Sequence, residues 1–533
     1  MKKTFLILCL MLSMFIVACG KGGKGSGNSV SFNMEAEPTS LDPQILTDMS
    51  GLFVTSMTYE SLVRLNEKNE IIPAGAESWT KSDDGKVWTF KIRQGMKWSN
   101  GDPVTAKDYY NGIKRGIEPK TASEYAFLAY YIENAEDYNT GKLKDFGKVG
   151  IKAKDDYTLE FTLSQPAPFF LKTLIMPIYF PVNEKALAAN GDGYATEAKK
   201  SIYNGPFIIE KWVHNNKVVM KKNPNYWDAA NVKIETVVYK IIPDNNSALN
   251  AFNNKEVDVT SITSEQAKGF KDNPKMVSKN DGSVWYLLFN FNNKTLANLK
   301  VRKALLMAID REGLINNVLN GYGTAAKTFV PKGIGITGKD GKDFTEFVPT
   351  STLGYNPQEA KKLLAEGLKE AGQASFPKMS MLINESGKNK VIAEYIQEQL
   401  RKNLNIQLDL EIMTAQERFS RMSQKDFDMV FAGWSGDYPD AITYLDLFES
   451  TGGNNNGSYK NPEYDALVKT VRSTADQNVR IPALVKIEGI IAQDLPVGVL
   501  FHREKQYLVD KKVKGLEFTP IGGEYYFGNL SLK

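Results

Sequence analysis

From Lys378 to Trp434 the chain alternates strand and helix signals with short joins, an order that few architectures can absorb. KMSMLIN (378–384) is a short apolar run, and Lys388 to Asn403 then brings Ile392, Tyr395, Ile396 and Leu400 onto one helical face. LNIQLDLEI alternates through Leu404, Ile406, Leu408, Leu410 and Ile412, the two-residue period of a pleated strand. A second helix is expected over Ala415 to Gln424, and DMVFAGW (428–434) closes the series. Strands joined in this way through helices predict a parallel, doubly wound α/β sheet. Ligands of such sheets bind outside the carboxyl ends of the strands. Ser435, Gly436 and Asp437 follow the last strand at that end.

Upstream the rhythm differs. From Ile71 to about Leu163 the pattern is largely strand: KVWTFKI (86–92) follows the turn SDDG, and YTLEFTL places Tyr157, Leu159, Phe161 and Leu163 on one face. Helices are expected around Ala106 to Arg115 and Ser123 to Ala135, which makes this part α+β. The first residues are a basic head, Met1 to Lys3, and an apolar run, Thr4 to Ala18, too short for the roughly 20 residues a bilayer span needs. IVAC with Cys19 after small Ala18 resembles the bacterial lipoprotein signal. That resemblance implies a signal peptide over 1–18, cleavage before Cys19 and lipidation of its thiol. GKGGKGSGNS (20–29) is half glycine and is expected to be a flexible tether within the segment 19–29, with a coil span of roughly 15 to 20 Å.

Cys9 and Cys19 are the only cysteines, so no disulfide is available to a mature fold and stability must come from size. Roughly 500 residues suffice for two or three domains. Loss of Lys2 and Lys3 takes the formal net charge from +4 to about +2 with both signs interspersed, which does not describe a nucleic-acid surface.

FAGWSGDYPDA (431–441) poses a choice between Ser435 as a nucleophile and Asp437 as a charge for a cationic ligand. A serine elbow needs G-x-S-x-G. Gly433, Trp434 and Ser435 fit, but Asp437 stands at the last glycine, Pro439 follows, and the only histidines are His214 and His502. A hydrolase built on Ser435 and His502 is therefore a distant alternative. Clustered metal ligands at motif spacings are missing from the sequence, and no cofactor is expected. GIGITGKD (333–340) imitates a phosphate loop, yet it lacks the Ser or Thr for magnesium and runs into no helix, so it is expected to be a mobile loop.

IIPAGAESWTKSDDGKVWTFKIRQGMKWSNGDPVTAKD (71–108) resembles the signature region of the family 5 extracellular solute-binding proteins, the oligopeptide and dipeptide receptors of ABC importers. EPTSLDP (37–43), YNGPFIIEKW with KKNPNYWD (203–228), VRKALLMAIDRE (301–312), YNPQEAKKLLAEG (355–367) and NNGSYKNPEYDALV (455–468) agree in order. The resemblance implies a bilobal, hinged, periplasmic-binding-protein-like (type II) α/β fold with an additional α+β domain inserted in lobe one. Lobe one would comprise 30–59, 184–284 and 505–533, the inserted domain 60–183, and lobe two 285–504. WYLLFNF (285–291) and VGVLFHREKQYLV (497–509) suit strands crossing between the lobes.

The same resemblance implies a monomeric, non-enzymatic receptor anchored outside the cytoplasm through its lipid. It would bind di- to oligopeptides and deliver them to permease and ATPase subunits. Asp437 matches the aspartate that receives a peptide's α-ammonium. The local alternative is that Asp437 caps a helix beginning near Pro439. Small Gly433, Ser435 and Gly436 would leave backbone open to the ligand main chain, Trp434 would wall a side-chain pocket, and Tyr125 matches a cleft tyrosine. Backbone at Thr47 and Met49 matches a strand pairing with peptide, and His502 and Arg503 are candidates for carboxylate contacts. Phe431 stands where the enteric oligopeptide receptors have an arginine, which leaves ligand length open. Some family members bind nickel chelates, haem or glycans, the nearest alternative ligands.

Overall fold

The computed structural model describes residues 28–533 apart from 68, 335–341, 351–352, 386 and 522–524. The leader, Cys19 and most of the Gly333–Asp340 loop lie outside the described residues.

One eleven-stranded sheet runs through the molecule in the order Leu408–Met413, Met379–Asn384, Met429–Ser435, Met276–Phe289, Val497–Val509, Val259–Ile262, Ser29–Met34, Thr236–Ile241, Lys217–Lys222 and Phe207–Val213; Gly323–Ala325 adds to Val497–Val509 off this path. The first three strands are mutually parallel, as the 378–434 alternation predicts. Helix Asn389–Leu404 packs Ile392, Ile396 and Leu400 on the sheet face of Met381, Ile383 and Phe431. Helix Ala415–Ser423 sets Met422 against the opposite face, with Leu382, Val430 and Ala432. The sheet is thus wound on both sides. It is nevertheless mixed overall, because Met276–Phe289 and Val497–Val509 run antiparallel to their neighbours.

These two strands, 14 and 13 residues long, pair with each other across the middle of the sheet. Residues 276–280 pair with 504–508 beside Val259–Ile262, and 284–288 pair with 497–502 beside Met429–Ser435. Register shifts between Asn280 and Val284. Gly282 sits in that irregularity at φ +71°, and a Cβ there would lie 2.3 Å from the Pro520 carbonyl oxygen.

A separate four-stranded antiparallel sheet, Ala76–Lys81, Val87–Ile92, Thr158–Thr162 and Ile151–Asp155, carries helix Ala106–Ile117. The long signature block proves to be scaffold here: Trp98 is fully buried, and Asp108 accepts from the Thr105 N–H (2.7 Å) and hydroxyl (2.9 Å) to start the helix. The helix expected over Ser123–Ala135 is instead a 3₁₀ turn, Ala126–Ala129, and a short helix, Ala135–Asn139; Asn134 between them takes a left-handed backbone that no continuous helix permits.

Gly282→Ala should lower stability by roughly 1–3 kcal/mol through its backbone conformation alone, with the Pro520 contact adding to the loss, read as a reduced urea midpoint.

Candidate functional site

Strand Met429–Ser435 pairs along its whole length with Met276–Phe289, but on its other side only Met429 and Val430 have strand partners. Phe431 to Ser435 therefore present an open backbone edge, the geometry onto which an extended chain can add as a further strand. Gly433 faces Trp285, whose ring lies 2.9 Å from where a Cβ would stand; Trp285 in turn stacks on Phe431 (5.1 Å) and Phe501 (6.1 Å). The Phe431 side chain is fully buried in this stack, so only its backbone is left for a ligand. Gly436 is small for a packing reason as well, since a Cβ would meet the Tyr444 ring at 2.7 Å. Its N–H is already used, donating to the Tyr444 hydroxyl (2.9 Å), which donates to the Gly282 carbonyl (2.6 Å). The expectation that Gly436 leaves its backbone to a ligand is corrected on this point. Ser435 is exposed at the strand end.

The turn that follows is held at many points. Trp434 Nε1 donates to the Thr443 carbonyl (2.8 Å), and the Asp437 N–H donates to Thr443 Oγ1 (3.2 Å). Tyr438 stacks on Phe169 (5.5 Å), and Lys172 Nζ donates to the Pro439 carbonyl (2.6 Å) and pairs with Asp440 (3.3 Å). Asp440 also pairs with the buried Arg480 and accepts from the Ile442 N–H (3.2 Å) at the start of helix Ile442–Leu445. At the start of that helix the backbone N–H of Ile442 is met by Asp440 and not by Asp437, which is left over.

What is left over is a carboxylate without a partner. Asp437 is half-buried, and among the described residues no side chain forms an ion pair with its carboxylate or donates a hydrogen bond to it. Removal from water, reinforced by the negative field of Asp446, pushes its pKa up to about 7. Tyr125 stands near enough to feel that charge: burial first, and Asp437 second, push its hydroxyl up to about 12. Asp437, Tyr125 and half-buried Trp434 are thus brought together from distant stretches of chain. Sequence reading missed Tyr444, Lys172, Tyr438 and Arg480, which shape the turn without facing it in any sequence pattern.

Other expectations need correcting. His502 is buried, its Nε2–H donates to the Thr328 carbonyl (3.0 Å), and burial pulls its pKa down to about 4. It is a neutral core group, unsuited to bind a carboxylate and, with Nε2 occupied, unable to serve Ser435 as a base. Arg503 lies over Trp285 (5.3 Å) with its charge met by Asp281 (2.6 Å). Thr47 is exposed in an irregular segment, and Met49, 49% exposed, opens helix Met49–Thr58 behind its cap Asp48, so neither belongs to a strand. Among the described residues no cluster of potential ligands could hold a metal, and no helix is long and apolar enough to cross a membrane.

A model of the bacterial extracellular solute-binding proteins, family 5 (middle), matches residues 70–456. The dipeptide-binding protein DppE of Bacillus subtilis is 33% identical over 97% of this chain and 96% of its own length. The oligopeptide-binding protein OppA of the same organism is 33% identical over 100% of both. Among solved structures, Listeria monocytogenes OppA bound to peptide matches with a TM-score of 0.80 at 33% identity, covering 95% of this chain and 100% of that one. The bilobal α/β fold expected from the sequence is the fold of these proteins.

Tyr444→Phe removes the group shared by Gly436 and Gly282 and should cost about 1–3 kcal/mol, seen as a lower thermal midpoint together with faster hydrogen exchange at the Gly436 amide.

Proposed function

The chain belongs to the bacterial extracellular solute-binding proteins, family 5, and from that premise we propose that it is the lipid-anchored receptor of a peptide ABC importer. It binds a di- to oligopeptide by main chain and α-ammonium, has no catalysis of its own, and hands its ligand to permease and ATPase subunits. Cys19 carries the lipid. The lobes are 30–59, 184–284 and 505–533 on one side and 285–504 on the other, with 60–183 inserted in the first, and the register shift at Asn280–Val284 is where the two crossing strands bend on closure.

The observation that carries this proposal is the unpaired Asp437 carboxylate beside the open edge Phe431–Ser435. Peptides share only a backbone that pairs like a strand and charged ends. A recessed carboxylate selects a free ammonium because either partner buried alone costs about 3–5 kcal/mol. That Asp437 holds its proton up to about pH 7 fits a group whose countercharge arrives with the ligand.

Thermal unfolding with free-amine and N-acetylated peptides tests the assignment. A peptide at about 100 times its dissociation constant should add roughly 2.7 kcal/mol, while acetylated peptides, or any peptide with Asp437→Asn, should give little response. Equal stabilisation by acetylated peptides would sink the ammonium assignment and move the search to chelates, haem and glycans.

Binding should also depend on pH with a definite sign. The ligand-free carboxyl is protonated below about pH 7, so ammonium binding must displace that proton and affinity should fall up to about tenfold per unit of further acidification. Above about pH 8 the peptide amine itself loses its charge. Calorimetric affinity should therefore peak near pH 7–8, and Asp437→Asn should lack the acid limb. In the ligand-free protein the raised pKa means that stability contributed at Asp437 is lost as pH rises from about 4 through 7, so Asp437→Asn should gain on wild type over that window.

A further inference from the structure

The turn that bears Asp437 is held from two sides, and one of them belongs to a distant part of the chain. Thr443, Tyr444 and Arg480 reach it from the residues that follow it. Lys172 and Phe169 reach it from the end of the segment 60–183. Lys172 Nζ donates to the Pro439 carbonyl (2.6 Å), 267 residues away in sequence, and its ion pair with Asp440 spans 3.3 Å. Phe169 stacks on Tyr438 (5.5 Å), and Tyr131 meets Phe169 edge-on (4.8 Å). This seam is closed to solvent: Phe169 is fully buried, and Tyr438 and Asp440 are 4% and 1% exposed.

Segment 60–183 is itself fastened to the other half of the molecule. Arg115 pairs with Asp42 (2.5 Å), Gln44 donates to the Phe180 carbonyl (3.1 Å), the Ser99 N–H donates to the Tyr203 carbonyl (2.7 Å), and Asn225 donates to the Ser99 carbonyl (3.1 Å). On the division proposed above, Lys172 therefore joins two bodies that separate when a hinged receptor opens. Neutralising Asp440 does not require it, because Arg480 already pairs with that carboxylate and the Ile442 N–H donates to it. The Pro439 carbonyl is a different matter. It is buried, no backbone N–H among the described residues donates to it, and Lys172 does. Pro439 brings a fixed φ and no N–H of its own, so the direction of its carbonyl governs the turn two residues from Asp437.

We infer that Lys172 is a positioning residue for ligand capture: by holding the Pro439 carbonyl from the opposite body, it sets the turn that carries Asp437 when segment 60–183 is seated against it and frees that turn when the two part. The inference rests on the peptide-receptor reading above and adds regulation to it, since grip on the ammonium end depends on a group that does not touch the ligand. Capture and closure are thereby coupled. The carboxylate is fixed while the bodies are docked and loosened as they separate.

Lys172→Met keeps the aliphatic stem and removes the charged donor, and Lys172→Arg keeps a charged donor. In the ligand-free proteins the amides of Asp437 and Asp440 donate to Thr443 Oγ1 (3.2 Å) and the Tyr438 carbonyl (2.7 Å). Their hydrogen exchange should be roughly ten- to a hundredfold faster in Lys172→Met than in wild type, with the ladder amides of Leu408–Met413 unchanged. With alanine peptides of two to six residues, calorimetry and stopped-flow should show free-amine binding weakened about ten- to a hundredfold, nearly all of it as faster dissociation. N-acetylated peptides, weaker binders that make no use of Asp437, should lose far less, and Lys172→Arg should recover most of the wild-type affinity. A merely structural role predicts exchange raised throughout and both kinds of peptide weakened alike. That pattern, wild-type exchange at the turn in Lys172→Met, unchanged free-amine affinity, or failure of Lys172→Arg to recover it would each overturn the assignment. If no alanine peptide binds wild type, the peptide reading fails on its own, and exchange at the turn still decides for or against Lys172.

Discussion

Everything that shapes the cleft depends on the antiparallel pairing of Met276–Phe289 with Val497–Val509. Neither strand belongs to one half of the sheet. Each hydrogen-bonds to a different set of neighbours at its two ends, so the sheet stays continuous while its register slips twice, at Asn280–Val284 and at Trp285–Tyr286. The first slip is also an anchor: Tyr444 reaches from the Asp437 turn to the Gly282 carbonyl inside it. The turn bearing the unpaired carboxylate is thereby tied to the wider of the two places where the long strands lose their regular ladder.

Charge is handled in two ways around this turn. Asp440, two positions from a tyrosine core contact, is met by Arg480, by Lys172 and by the Ile442 N–H, and its pKa is lowered by the nearby cations in spite of its burial. Asp446 is paired with Arg472. Asp437, a few residues away, also pays for its removal from water but has none of the compensation, and its pKa moves the other way. Glu488, also pushed up to about 7 by burial, at least accepts from the Phe329 and Val330 N–H groups, so what sets Asp437 apart is a carboxylate with neither cation nor hydrogen-bond donor among the described residues, which fits compensation brought by a ligand.

Much of this was legible before any coordinates. The strand–helix order from 378 to 434 and the helical face of Ile392, Ile396 and Leu400 specify a doubly wound sheet because burial on one face imposes a period on the sequence, although the alternation read through Leu404–Ile412 is a strand only over Leu408–Met413, with Leu404 ending the helix before it and Ile412 exposed. The sheet in turn marks its carboxyl edge, and with it Asp437, as a place for ligands. Phe431 was misplaced because strand alternation does not say which face is the filled one; the Trp285 stack decides that, from residues 146 positions earlier in the chain. Thr47 and Met49 were misplaced because a helix cap at Asp48 outweighed the expectation of an extended segment.

By itself, then, the sequence determined the winding of the sheet, the family, and the candidacy of Asp437, since these follow from periodicity and from ordered local blocks. Tertiary structure alone decided which polar groups have partners. His502 is spent on Thr328, Arg503 on Asp281 and Asp440 on Arg480, whereas the Asp437 carboxylate has no such partner among the described residues. Whether a charge is compensated depends on groups brought within a few ångströms by folding from tens or hundreds of residues away, and no local pattern in the chain encodes that.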